Sequence, residues 1–269
     1  MARCSHGECD GWRPDVLAKR GRAGYRLDGE WYCSRRCLEQ ATRERLDVRS
    51  SDAWPTRGPR IGALLVSQRA VSTASLGLAL REQAMTHLPL GRQLEEMGLV
   101  SSGDVLRALS AQAGIGYLTT IDVAQLHPVS EPLSPATLRE LDLVPIEANS
   151  DERRLKVACV APVPWPALQA IYEVTGWTAE PLLVSDENWQ RLTENTARKN
   201  QSQAIPVNDV EDAVALTADL AGDRDTRDMS VARVDPYILV RVEGRHRDED
   251  VLFHMTTSKQ EDVCLAASM

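Results

Sequence analysis

RIGALLVSQRAVSTASLGLALREQ, residues 60–83, is followed after five residues by PLGRQLEEMGLVSSGDVLRALSAQ, residues 89–112. At an offset of 29 residues Gly62 falls on Gly91, Leu65 on Leu94, Val71 on Val100, Leu80 on Leu109 and Gln83 on Gln112. Self-similarity at a fixed period marks a tandem supersecondary unit. Each copy predicts a short helix, a turn and a longer helix. Ser101 and Asp104 fit a capping box, and Ser72 is the matching N-cap of the first copy. Val105 and Leu109 stand four apart on one helix face, as do Leu76 and Leu80. Neither copy has enough apolar surface to fold alone, so the two are expected to pack on each other.

Around this repeat the pattern changes on both sides. After Gln112, short β-branched runs alternate with helical stretches: strands at 117–121, 143–147, 154–160 and 179–184, and helices at 135–141, 165–175 and from Asp186. That alternation predicts a small α/β layer domain over 113–199. Before the repeat, SDAWPTRGP (51–59) has two prolines, a glycine and no hydrophobic period, and reads as a linker. Residues 1–50 hold four clustered cysteines and read as a separate metal-stapled head. Residues 200–269 read as an acidic linker with a short helix at 210–220 and a C-terminal hairpin, its strands at 237–242 and 251–255. The expected fold class is thus a multidomain α+β protein: zinc-stapled head, tandem helix-turn-helix repeat, small α/β layer domain and acidic tail with a β-hairpin.

Composition narrows the function classes. A chain of 269 residues with 43% hydrophobic residues is long enough for more than one core, which excludes a single small stapled domain. No apolar run reaches membrane-spanning length and no basic-then-apolar leader opens the chain, so a cytoplasmic protein is expected. The formal charge is −8, and residues 200–269 carry 14 Asp/Glu against 7 Lys/Arg, whereas residues 1–50 carry 11 Lys/Arg against 8 Asp/Glu. An anionic ligand is therefore expected toward the N-terminal side, although a genomic nucleic-acid binder is usually more basic than this.

The repeat and the α/β segment together resemble the N-terminal, MshEN-like domain of type II secretion and type IV pilus assembly ATPases. The motif runs arginine, apolar residue, glycine, leucine, then a turn and a helix with two leucines and a glutamine; ACVAPVPWPALQAIYEVTGWTAEPLLVS (158–185) continues the likeness. Some members of that family bind cyclic di-GMP through the two repeats, and the resemblance carries this role onto Arg60, Ile61, Gly62, Leu65 and Gln83 in the first copy. In the second it carries it onto Leu90, Gly91, Leu94 and Gln112. Arginine supplies a fork for guanine or phosphate, glycine lets a main-chain N–H approach, and leucine offers an apolar platform. Four positions depart from the pattern: Arg69 stands where the family has the turn glycine, Ala70 where it has leucine, Pro89 where it has the leading arginine, and Glu95 at an apolar position.

Cys4-x4-Cys9 and Cys33-x3-Cys37 form two ligand pairs at a separation that suits one structural zinc, and the run into Cys37 looks like the knuckle and helix of a treble-clef finger. His6 is a less favoured substitute ligand, and disulfides are the weaker reading. Cys159 reads as a buried small hydrophobe. No phosphate-binding loop occurs, since Lys19, Lys156, Lys199 and Lys259 are the only lysines and none follows a glycine. No nucleophile elbow or metalloprotease helix appears either. These readings converge on a non-enzymatic regulatory or adaptor protein, with zinc as a structural cofactor, cyclic di-GMP as ligand and a secretion, pilus or signalling protein as partner. The competing reading is a zinc-finger nucleic-acid-binding regulator using Arg13, Lys19, Arg20, Arg22, Arg35 and Arg36.

Overall fold

The computed structural model describes residues 2–13, 24–47, 58–122, 129, 131–197 and 204–256. Most of the expected linker, and Lys19, Arg20 and Arg22, lie outside the described residues. The internal contacts divide the chain into one unit of residues 1–50, 173–175 and 203–269 and another of 51–172 and 176–202.

The first unit begins with β1 (Ala2–Arg3) paired to β2 (Trp12–Arg13), then the hairpin β3 (Tyr25–Leu27) and β4 (Glu30–Tyr32), then helix α1 (Arg35–Asp47). Cys37, Leu38, Ala41, Thr42 and Leu46 bury one face of α1, the three-to-four spacing of an amphipathic helix.

In the second unit each repeat copy forms the two helices expected of it. The first gives α2 (Ile61–Ser67) and α3 (Thr73–Thr86), the second α4 (Leu90–Glu96) and α5 (Ser102–Ala113). Ser72 accepts from the Ser75 N–H, and Ser101 forms a complete capping box with Asp104. The short helix of each copy packs against the long helix of the other, α2 on α5 and α3 on α4. Leu65, Val71, Ala79, Leu94 and Ala108 form their common core, so neither copy has a core of its own.

Both short helices end in the same left-handed motif. The Ala70 N–H donates to Leu65 O (2.9 Å) and the Arg69 N–H to Val66 O (3.0 Å); in the second copy Leu99 donates to Leu94 O (3.0 Å) and Gly98 to Glu95 O (2.9 Å). This double bond pattern needs a residue of positive φ between the helices. Arg69 has φ 60° where Gly98 has φ 65°. The arginine therefore occupies a conformation that glycine adopts without a Cβ penalty. Arg69→Gly is expected to stabilise the chain by about 1 kcal/mol, read as a raised urea midpoint at unchanged m-value. A lowered midpoint would mean that the arginine side chain has a compensating partner.

The α/β layer follows: β5 (Gly116–Leu118), α6 (Pro135–Glu140), β6 (Val144–Asn149), β7 (Arg154–Cys159), α7 (Trp165–Thr175), β8 (Thr178–Val184) and α8 (Asp186–Ala197). The sheet order is β5-β8-β7-β6, with β8 parallel to both neighbours and β6 antiparallel to β7. Leu155, Val157, Ala158 and Cys159 are all fully buried, as expected of an inner strand covered on both faces. Burial pushes the Cys159 thiol up to about 12, which agrees with its reading as a packing residue.

The C-terminal segment contains more structure than a linker and a hairpin. It forms β9 (Ile205–Val207), α9 (Val210–Ala221), β10 (Thr226–Val234), β11 (Tyr237–Gly244) and β12 (Glu249–Met255). The sheet order is β10-β11-β12-β9, antiparallel except for the β12–β9 pair. Nor does the head stand apart from it. Leu27, Trp31, Tyr32, Cys37, Leu38 and Leu46 share one hydrophobic core with Val207, Ala213, Met229, Ile238, Val240 and Phe253. The Asp28 N–H donates to Met229 O (2.7 Å), which docks the hairpin turn on β10. Arg43 forks onto Glu211 at 2.6 and 2.5 Å, and Arg35 pairs with Asp219, tying α1 to α9. The physical reason is size: a head of about 50 residues buries too little surface to stand alone.

Candidate metal centre and nucleotide site

The cysteines come from three elements. Cys4 follows β1 and Cys9 lies in the knuckle before β2; Cys33 ends the β3–β4 hairpin; Cys37 sits in the first turn of α1. Their four Sγ atoms all lie within 4.8 Å of one another, with Cys9–Cys33 at 3.5 Å and Cys33–Cys37 at 3.8 Å. A tetrahedral zinc with Zn–S bonds of about 2.3 Å requires sulfurs about 3.8 Å apart, so the set fits that ion.

Main-chain donors point at the sulfurs as well. The Gly11 N–H donates to Cys9 Sγ (3.4 Å) and the Cys33 N–H to Cys4 Sγ (3.5 Å). The Gly11 bond, aided by the Cys33 and Cys37 thiols, holds Cys9 below the ordinary thiol value. Burial, then the neighbouring thiols, pushes Cys33 up to about 12. At Cys37 the Ser34 hydrogen bond pulls downward, but burial and Cys9 outweigh it and the thiol is raised. Four sulfurs this close cannot all ionise without a cation, which is the condition a thiolate metal site meets. Gly11 has to be glycine here, because a Cβ would lie 2.7 Å from Cys33 Sγ. His6 is not in the sulfur set, and its buried Nδ1 has no hydrogen-bond partner among the described residues.

The repeat residues fall into three groups. Leu65 and Leu94 are fully buried in the core shared by the copies, so they support the fold and present no surface to a ligand. Gln83 and Gln112 each tie one copy to the other: Gln83 Nε2 donates to Leu88 O (2.8 Å), before α4, and Gln112 Nε2 to Pro59 O (3.0 Å), before α2. Pro59 and Leu88 are themselves one repeat apart, so the two bonds are equivalent.

The third group meets where the short helices begin. A Cβ on Gly62 would touch Leu76 at 3.1 Å and Leu90 at 3.3 Å; one on Gly91 would touch Val105 at 2.8 Å and Ile61 at 3.7 Å. These are again equivalent contacts, and they explain both glycines by close packing. Arg60 is the N-cap of α2, exposed, with no ion pair among the described residues; Pro89 is its counterpart at α4. The seam therefore carries one cation on one side only. Glu95 lies farther along α4, where burial and then the Asp186 charge raise its carboxyl.

Sequence reasoning missed Gln93. It is buried, and its Oε1 accepts from the Thr86 hydroxyl at 2.6 Å, fixing α3 to α4. No periodicity marks a polar residue in a core. The arginines of the nucleic-acid reading are only partly within view. Arg35 is engaged with Glu39 (2.6 Å) and Asp219 (2.5 Å), so its guanidinium already has carboxylate partners.

No protein-family model and no curated protein matches the chain. Among solved structures, 53% of this chain is similar to 99% of the chain in "Structure of MshE with cdg", at 27% identity and a TM-score of 0.42. The N-terminal domain of XpsE is similar over 51% of this chain and 92% of its own, at 21% identity and a TM-score of 0.36. Among the described residues no helix is long and apolar enough to cross a membrane.

Proposed function

We propose that the chain is a non-enzymatic regulatory or adaptor protein of the cytoplasm, in which an MshEN-like repeat domain takes up cyclic di-GMP and a zinc-held domain accompanies it. The observation that carries this reading is the seam between the copies. There Arg60, exposed and with no ion pair among the described residues, caps α2 next to Ile61, and Ile61 and Leu90 lie against the first-turn glycines Gly91 and Gly62 of the two short helices. A guanine or a phosphodiester offers acceptors for the arginine fork, and a base plane offers a surface for Ile61 and Leu90. The four cysteines hold one structural zinc in the same reading, and a secretion, pilus or signalling protein is the partner.

Calorimetric titration of the full chain with cyclic di-GMP, with cyclic di-AMP and GTP as controls, tests the nucleotide role. Losing a charge-assisted contact costs about 1.5–3 kcal/mol, so Arg60→Ala is expected to weaken binding by roughly tenfold to over a hundredfold. Equal affinity in wild type and variant would place the nucleotide elsewhere.

A further inference from the structure

The four clustered thiols are not equally covered. Cys4 and Cys37 are 8% and 9% exposed and are buried members of the core of their unit, whereas Cys9 and Cys33 are only half-buried at its margin. The half-buried pair is also close, with Sγ atoms 3.5 Å apart against 3.8 Å for Cys33 and Cys37. Gly11 lies directly against both sulfurs: a Cβ there would stand 2.7 Å from Cys33 Sγ and 3.2 Å from Cys9 Sγ. Its missing side chain leaves the two free to close on each other.

A cleft of about 940 Å³ opens between the loop of residues 6–10 and helix α1, and Cys9 forms part of its wall. Its lining is polar, and Glu8, Asp10, Glu39 and Glu44 there face only two cations, Arg36 and Arg43. Arg43 is already held by Glu211. Such a cleft admits a small neutral polar reagent more readily than an anionic one. Cys159, by contrast, is fully buried in β7.

We propose that Cys9 and Cys33 are a redox-sensing pair, which a hydroperoxide entering the cleft converts to a disulfide, so that the head gives up its metal. This rests on the reading of the four cysteines as a zinc site. The Cys9 thiolate attacks one oxygen of hydrogen peroxide; the O–O bond breaks, the sulfur becomes a sulfenic acid and hydroxide departs. The Cys33 thiolate then attacks that sulfur, forming the S–S bond and expelling a second hydroxide. Two protons from solvent convert the hydroxides to water, and the two electrons lost by the sulfurs reside in those waters. Cys4 and Cys37 remain, two ligands where a structural zinc takes four. Because the head shares its core with α9 and β10 to β12, loss of the ion is felt across the whole unit. In a reducing cytosol a disulfide of this kind is transient, as a signal requires.

The test uses the full chain loaded with zinc under reducing conditions and then freed of reductant without air. Hydrogen peroxide is added in steps, released zinc is read by the colour of pyridylazoresorcinol, and disulfides are mapped by mass spectrometry. Cleavage after Glu8 and after Arg35 separates all four cysteines. The expected result is about one zinc released per peroxide consumed, a Cys9–Cys33 link, unmodified Cys159, and zinc taken up again after dithiothreitol. Glutathione disulfide, which is anionic, should act at least about tenfold more slowly at equal concentration. Cys9→His keeps a zinc ligand but cannot form the link, and its zinc should survive the peroxide that empties the unaltered chain; the mapping decides alone if this variant does not load. A link through Cys4, Cys37 or Cys264, or a sulfinic acid at Cys9 with no link, overturns the inference. Zinc that is bound and stays through peroxide removes this inference alone, whereas a reduced chain that binds no zinc removes the metal reading together with it.

Discussion

Chelation of the full chain under reducing conditions is expected to unfold residues 2–47 and 205–255 together and to leave residues 61–112 folded. The four-cysteine head and the C-terminal layer share one core, in which Cys4 and Cys37 are themselves buried members. Structural zinc in small domains supplies about 10–16 kcal/mol of apparent binding free energy, whereas a whole domain is typically stable by about 5–15 kcal/mol. Removing the ion therefore takes away as much as the unit has. Hydrogen exchange read by mass spectrometry is the measurement: protection should vanish in β10, β11 and β12, far in sequence from any cysteine ligand, while α2 to α5 stay protected. Cys33→Ser should give the same pattern. Protection retained in the C-terminal strands after complete loss of metal would show that the sheet holds without the head.

Leu94→Ala is expected to cost about 2–5 kcal/mol and to unfold both repeat copies in one transition. Leu94 is fully buried in the cluster that also contains Leu65, Val71, Ala79 and Ala108 from both copies. The exchange of partners between short and long helices means that no part of this cluster belongs to one copy. Thermal or urea unfolding followed by circular dichroism checks the size of the effect, and exchange in α2 and α3 checks its reach. Destabilisation confined to α4 and α5 would contradict the shared core. Arg60→Ala, by contrast, changes an exposed side chain with no described partner and should leave the melt unaltered, which makes it the clean probe of ligand binding.

Much of this architecture was legible because its determinants are local. The capping box of Ser101 and Asp104 and the N-cap Ser72 act within a few residues of the helices they shape. The cysteine spacing likewise brought Cys4, Cys9, Cys33 and Cys37 together as expected. Two features were not legible. The charged run GDRDTRD at 222–228 hid β10, whose alternation of buried Met229, Val231 and half-exposed neighbours begins at the end of that run. The union of head and tail rests on contacts such as Arg43–Glu211 and Arg35–Asp219, between residues 168 and 184 positions apart, and no local pattern encodes such pairs. The positive φ of Arg69 stood between these cases: the repeat aligned it with Gly98, and the backbone then adopted the same conformation despite the side chain.

The central claim is that the seam between the two copies is a nucleotide site held by a single arginine. Isothermal titration of the wild-type chain, Arg60→Ala and Arg69→Gly with cyclic di-GMP tests it most directly. The account predicts one nucleotide per chain, selective over cyclic di-AMP and GTP, with binding weakened roughly tenfold to over a hundredfold by Arg60→Ala and retained in Arg69→Gly. Absence of binding in all three proteins at high micromolar nucleotide would contradict it and leave the repeats as a structural and protein-docking element.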